Sequence, residues 1–252
     1  MGTMQRGVAV LWFGAAVISG GVPTAEAHMR SYLFSQEYYT TQRGEFELEL
    51  SNDMHFPEAD NNASYHSAHQ AELEYGITDH LQLALYEVYG WNRADDWFRD
   101  AFKIEAKYRV AEAGRWLLDV ALYCEYENPN GTRASRSDVL ESKVILSKNV
   151  GRWNLVANLI FEKALNRGEP WEYEYTAGLS YELTPRTQLA LEVKQGLGDS
   201  EDFHFDSTEA LYVMPTVATS LTPHVRILAG PAFGLTRVSD DLQLRSIIEV
   251  EF

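Results

Sequence analysis

Cysteine is almost missing: Cys124 stands alone among 252 residues. No intramolecular disulfide, disulfide scaffold or thiolate metal site can be built from it. Basic residues are scarce as well. Lys and Arg number 21 against 37 Asp and Glu, a formal charge of -16, and that sign disfavours nucleic-acid binding, which needs Lys and Arg clusters against phosphate. Long apolar runs are also lacking. The stretch at residues 8–19 falls short of the roughly 18 residues a spanning helix requires, and no later segment approaches that length. If this chain enters a bilayer, it does so through strands.

What is present begins with an export signal. Arg6 supplies a positive charge, residues 8–19 form a short apolar core, and Ala25-Glu26-Ala27 reads as an A-x-A cleavage site; together they predict a signal peptide over residues 1–27 and a mature chain starting at His28. Cleavage removes one base (Arg6) and one acid (Glu26), leaving the charge at -16. Hydrophobic residues make up 45% and the mean hydropathy is -0.29. Those values look soluble, yet a chain polar on one side of every strand and apolar on the other averages to the same figure.

From residue 45 onward the apolar pattern has period two, which argues strand rather than helix. Twelve segments emerge, at residues 45–55, 65–75, 81–91, 101–110, 116–127, 139–147, 153–162, 171–183, 187–195, 209–221, 225–235 and 241–252. Their lengths suit the roughly 9 to 11 residues a tilted strand needs to cross hydrocarbon better than the ~5 to 6 of soluble sheets. The last one alternates Leu242, Leu244, Ile248, Val250 and Phe252 with Gln243, Arg245, Glu249 and Glu251.

Connections alternate between short and long. Tyr75-Gly-Ile-Thr-Asp-His-Leu-Gln-Leu-Ala-Leu85 is echoed by Tyr181-Glu-Leu-Thr-Pro-Arg-Thr-Gln-Leu-Ala-Leu191 and faintly by Leu221-Thr-Pro-His-Val-Arg-Ile227, while Gly114-Arg115-Trp116 matches Gly151-Arg152-Trp153. These predict tight turns at one rim. The connections at 56–64, 92–98, 128–137, 163–170 and 196–208 are longer and rich in Gly, Asn, Asp and Ser, and they fall at the other rim. An even strand count puts both ends of the chain at the short-turn rim. Residues 31–39 also alternate and would be an unpaired thirteenth crossing, so residues 28–44 are predicted to form a plug, a periplasmic strap or an arm inside the lumen.

Trp91, Trp97, Trp116, Trp153 and Trp171 all lie at or just beyond predicted strand ends, as residues of a membrane interface do; core aromatics of a soluble β-sandwich are the alternative. The opposite phase of each strand is charged, and an isolated charge facing lipid is costly. That phase predicts the lumen: Glu72, Glu74, Lys103, Glu105, Lys107, Asp119, Glu141, Glu174, Glu192 and Arg245 as pore-lining residues, with Glu47, Glu49, Asp53, Arg109, Glu125, Lys143, Glu172, Glu182, Lys194 and Glu249 beside them. Two outcomes fit this list. Paired charges could knit a closed interior, or an acid-biased water-filled pore could favour cations.

The exported N-terminus, the alternating strands, the asymmetry of turns and loops and the terminal Phe252 resemble the outer-membrane β-barrels of Gram-negative bacteria, of the porin-like transporter kind, over essentially the whole mature chain. The resemblance implies an all-β, antiparallel, up-and-down transmembrane barrel of about twelve strands over residues 45–252, in the bacterial outer membrane. Lipid and lipopolysaccharide would surround it, and the assembly machinery would read Phe252. The lumen adds the expectation of a passive channel for small cationic or polar solutes, not an enzyme and without cofactor. A lipid-acting enzyme and a structural or adhesive barrel with a closed interior are the alternatives. Some outer-membrane barrels are lipases or lipid A deacylases, but the histidines predicted near the first long loop, His66 inward and His69 outward with Ser64 and Ser67 close by, do not form a recognisable Ser, His and carboxylate motif. Metal binding has weak pointers in His28, in Asp95 with Asp96, and in Asp199, Glu201, Asp202, His204 and Asp206; no calcium-loop spacing accompanies them, and no metal site is assigned. Three residues fit badly: Glu87 falls on the lipid phase, and Pro215 and Pro231 lie inside neighbouring strands, where each removes a ladder donor and a bulge is expected. Ser246 is a milder exception on the lipid phase.

Overall fold

In the structure, a computed structural model describing residues 30–56, 66–92, 96–129, 137–205 and 208–252, the alternating segments become twelve strands: β1 (Phe46–Phe56), β2 (His66–Thr78), β3 (Leu81–Asn92), β4 (Asp96–Arg109), β5 (Asp119–Pro129), β6 (Val139–Val150), β7 (Trp153–Ala164), β8 (Trp171–Thr184), β9 (Thr187–Asp199), β10 (Leu211–Thr222), β11 (Val225–Gly234) and β12 (Leu242–Glu251). Each pairs antiparallel with its sequence neighbours, and β1 pairs with β12 to close the barrel. At the seam Phe46 and Phe252 exchange backbone hydrogen bonds of 3.0 and 2.9 Å. Closure leaves no unpaired sheet edge. The signal segment, including Arg6 and the Ala25–Ala27 site, and His28 lie outside the described residues.

Period two now has a physical meaning. Leu83, Leu85, Ile104, Leu122, Leu155, Leu159, Leu179, Leu189 and Leu191 are exposed on the outer wall, while Glu49, Glu72, Glu105, Asn158, Thr176 and Glu192 are buried within. An exposed apolar belt of this extent is unfavourable in water and matched to acyl chains in a bilayer. Trp97, Trp116, Trp153 and Trp171 are exposed on the same wall, two towards each rim, as an interfacial girdle requires.

The echoed turn motif is a capped hairpin. Thr78, Thr184 and Thr222 each close a strand, and their hydroxyls accept the N–H of the residue two further on at 3.2 Å. A register shift occurs beside each of them, at Gly76/Thr78, Glu182/Thr184 and Ser220/Thr222. The hydroxyl supplies an acceptor that a two-residue turn lacks, which is why the threonine recurs. Residues 110–118 differ from the predicted tight turn: Trp116 sits in a longer connection and does not start β5. There Gly114 takes a φ of 74°, and its N–H donates to the Asp119 carboxylate at 2.5 Å.

Pro215 and Pro231 are accommodated without the expected bulge. Val213 pairs with Phe233 and Val217 with Ala229 in unbroken register, and the ladder between β10 and β11 is interrupted in between. Both prolines still align with their other neighbours, Leu191 and Leu244. Gly230 completes the arrangement: a Cβ there would come within 2.2 Å of the Pro215 carbonyl oxygen, so the strands approach closely where neither proline can donate.

Glu87 remains on the outer wall. A register shift between Val88 and Tyr89 leaves Asp100 as an extra residue of β4 and aligns Arg99 with outward Tyr89. Arg99 then grips Glu87 through Nε at 2.6 Å and Nη2 at 2.5 Å. The bulge delivers the counter-charge and leaves Glu87 where it was.

Candidate functional site: the lumen and its plug

Residues 30–43 contact Glu49 on β1, Gln82 on β3, Asn158 on β7, Glu192 on β9 and Arg226 on β11. A segment can touch strands all around a closed barrel only from inside. Three apolar side chains seat it. Tyr32 and Tyr38 pack with Ala121, Tyr123, Ile145, Val156 and Ala190, and Leu33 packs with Tyr212, Met214, Ala218, Leu228, Ala232 and Ile247. Full burial of such a side chain stabilises by roughly 1.5–3 kcal/mol.

Polar contacts fix its course. The Glu192 carboxylate accepts the backbone N–H groups of Leu33, Phe34 and Ser35 at 2.6, 3.0 and 2.8 Å, and the Thr216 hydroxyl at 3.3 Å. Asn158 accepts from Gln36 N–H at 2.6 Å and donates to its carbonyl at 2.9 Å. Gln82 accepts Thr41 N–H at 2.9 Å, the Tyr32 hydroxyl reaches Asn154, and the Tyr38 hydroxyl donates to the Ala111 carbonyl. A strand-free segment in a lumen must satisfy its backbone with side chains, and the wall provides them. Burial holds the Tyr32 and Tyr38 phenols above their usual range, so both stay protonated donors.

The plug sits in the half of the lumen nearer the short turns. Beside it the inner wall is acidic, because register aligns Glu47 with Glu74 and Glu251, and Glu49 with Glu72 and Glu249. Arg30 of the plug pairs with Glu49, Lys107 reaches Gln36 at 3.4 Å, and the Tyr86 hydroxyl donates to Glu105. A residual space between plug and wall is lined by Arg30, Glu37, Glu47, Glu74, Lys107 and Glu249.

The half nearer the long loops holds paired charges. Lys103 bridges Glu125 and Glu127 at 2.9 and 3.0 Å, Lys143 meets Glu141 at 2.8 Å, Lys194 meets Glu174 at 3.0 Å and Arg245 meets Asp53 at 3.2 Å. Phe34 caps the plug here, under Lys194 and Arg245 at 5.4 and 4.7 Å.

The expected lumenal residues therefore divide. Glu72, Glu74, Glu105, Lys107 and Glu192 surround the plug; Lys103, Glu141, Glu174 and Arg245 form the charged outer half; and Asp119 caps the 110–118 turn. Sequence reasoning missed the wall's apolar sockets, whose signal was there: Ile145, Val156 and Ile247 occupy inward positions where the pattern calls for polar residues. It also missed Gly178. A Cβ there would lie 2.5 Å from the Tyr32 ring, so the glycine is a slot for that ring.

Near the first long loop, His66 faces inward and stacks on His55 with centroids 4.3 Å apart, and the His55 Nδ1 lies 2.8 Å from an Asp240 carboxylate oxygen. His69 faces outward. Its Nδ1 is 2.6 Å from Asn52 Oδ1 and its Nε2 is 3.0 Å from Ser67 Oγ. Of the loop residues considered for metal, Asp199 accepts the N–H groups of Glu201 and Asp202 at 2.7 and 2.9 Å as a turn cap, and His204 lies 3.2 Å from Glu209. Ser64, Asp95 and Asp206 lie outside the described residues.

No protein-family model matches the chain, and no curated protein matches it by sequence. Solved structures do match by shape. An outer-membrane channel from Pseudomonas putida F1 is 15% identical with a TM-score of 0.57, over 85% of this chain and 98% of that one. The KdgM porin, solved in complex with disordered oligogalacturonate, is 10% identical with a TM-score of 0.54, over 82% and 98%; a second KdgM structure gives 0.52. At these identities the likeness is one of fold. The chain has the closed, twelve-stranded antiparallel fold of outer-membrane β-barrels, as its terminal strand and its turns led one to expect.

Proposed function

We propose that the barrel is a passive channel of the bacterial outer membrane for small cationic or polar solutes, gated by its own residues 30–43. The observation that carries this reading is the residual space between plug and wall. In its lining the carboxylates of Glu37, Glu47, Glu74 and Glu249 outnumber the cations Arg30 and Lys107, beside five neutral residues, and a constriction with an excess of carboxylates concentrates cations. The fold shared with an outer-membrane channel and with a porin supports the class of activity. The oligogalacturonate named with KdgM is a polyanion, and the acidic wall here favours solutes of the opposite charge. With short turns on the periplasmic side, the plug guards the periplasmic half and the paired charges form the outer entrance.

Refolded full-length protein in planar bilayers under a salt gradient tests this. A cation-selective reversal potential is expected, and replacing Glu47, Glu74 and Glu249 together by Gln should move it towards zero. An unchanged potential would remove these carboxylates from the path, and no current under any condition would favour a purely structural barrel.

A further inference from the structure

The outer wall holds an arrangement that the channel does not use. Asn52, Ser67 and His69 lie on the lipid-facing phase of β1 and β2, where a polar side chain gains nothing from acyl tails, and each of them is linked to the next. An amide oxygen only accepts, so the contact to Asn52 Oδ1 places the proton of His69 on Nδ1 and leaves the Nε2 lone pair facing the Ser67 hydroxyl. The imidazole is thus held in the tautomer that a general base requires, by a partner of the kind found in Cys-His-Asn hydrolases.

Depth matches as well. Ser67 aligns with Trp91, and Trp91 with Trp97; Trp97 is 62% exposed and lies tilted against the His69 ring, centroids 4.8 Å apart. Interfacial tryptophans mark the boundary between headgroups and tails, and this is where the acyl ester carbonyls of membrane lipids lie and where water reaches them. On the same wall Asn52, His69, Tyr89 and Arg99 form one aligned row, which puts the Arg99 guanidinium two strand spacings, about 10 Å, from His69.

We propose that Ser67, His69 and Asn52 form an acyl-ester hydrolase site on the lipid-facing wall, taking ester-linked lipid from the leaflet at the long-loop rim. Ser67 Oγ attacks the ester carbonyl carbon as its proton passes to His69 Nε2. The bond from that carbon to the alcohol oxygen then breaks, and the alcohol leaves with the proton returned by Nε2. Water, deprotonated by the same nitrogen, releases the fatty acid and restores the serine. Ester and water give acid and alcohol, with no redox partner. Asn52 is a positioning residue that fixes the tautomer and touches no substrate. Ser67 is 6% exposed, with Met54 and Trp91 as its register neighbours, so the ester gains access when one of these two side chains swings aside.

The test uses full-length barrel in mixed micelles, with phosphatidylethanolamine or lipopolysaccharide as substrate and a fluorophosphonate as covalent probe of the serine. Wild type should label at Ser67 and release fatty acid from one of the two lipids, which identifies the source. Ser67→Ala should abolish both while leaving bilayer conductance unchanged, and His69→Gln should slow turnover by about 10²–10⁴-fold. Asn52→Asp should retain turnover and move the acid limb of its pH profile upward, since a carboxylate beside the imidazolium raises its pKa; Asn52 acting only in packing would leave that limb in place. Unlabelled wild type, or labelling that persists in Ser67→Ala, overturns the proposal whatever the conductance shows. Should Ser67→Ala fail to fold, an unchanged rate in folded His69→Gln overturns it equally.

Discussion

The two halves of the lumen are built on opposite principles. Near the long loops the cations Lys103, Lys143, Lys194 and Arg245 are each paired with carboxylates of the wall itself, and the plug adds only the Phe34 ring beneath Lys194 and Arg245. Near the short turns the wall is unfinished without its insert: apolar sockets wait for Tyr32, Leu33 and Tyr38, and the buried carboxylate of Glu192 takes its donors from the backbone of residues 33–35. A self-sufficient half can stay wet and open. A half completed by a separate segment can exist in two states, docked and undocked, and a gate needs that bistability.

Removing the hub should break this contrast most strongly. Glu192→Ala strands three backbone donors, each costing about 1–3 kcal/mol when left unpaired. The undocked population should therefore rise by roughly a hundredfold or more, read as a rise in open probability towards saturation in single-channel recordings. Because the charge pairs of the other half do not depend on the plug, the sign of the ion preference should be retained. An unaltered open probability would mean that the plug is a fixed structural element.

A milder change acts on shape alone. Gly178→Ala places a methyl group against the Tyr32 ring, an overpacking that typically costs ~1–3 kcal/mol. It touches no charge, so it should raise open probability by about tenfold without any change in reversal potential. If selectivity moved as well, the tyrosine socket and the acidic wall would be one element, and the separation drawn above would fail.

This contrast also marks how far the sequence could be read. The barrel was legible because lipid imposes a rule on every second residue: Leu83, Leu85 and Leu191 must face tails, whereas the strand ends at Thr78, Thr184 and Thr222 lie one to three residues beyond the expected ends at 75, 183 and 221. The alignment of Glu47, Glu49, Glu72 and Glu74 on one face was legible for the same reason. The plug was foreseeable only as one of several fates for residues 28–44, since its docking is written in wall residues that break the rule singly, such as Ile145, Ile247 and Gly178. None of these is conspicuous by itself. The outward triad escaped because a carboxylate was sought as third member where Asn52 stands, and because Ser67 and His69 come within reach of Asn52 only through the β1–β2 register. Local pattern specifies faces; register specifies partners.

Glu87 and Arg99 extend the comparison to the outer wall and carry the smallest expected effect. Inside, Lys194 and Glu174 share the lumen with other charges and polar groups. Outside, Glu87 and Arg99 have apolar Phe102 and aromatic Tyr89 as register neighbours, and their joint value lies mainly in neutralising each other. Glu87→Leu strands the guanidinium on the lipid face between midplane and rim, which should cost ~1–2 kcal/mol, intermediate between the values for those two depths. Because removing both partners of a poorly solvated pair can be neutral or stabilising, Glu87→Leu combined with Arg99→Leu should recover most of that loss. Urea unfolding of the barrel in lipid vesicles measures both. Recovery is expected only where lipid surrounds the pair, so a double variant less stable than the single one would show that this patch of wall meets water or protein instead of acyl chains.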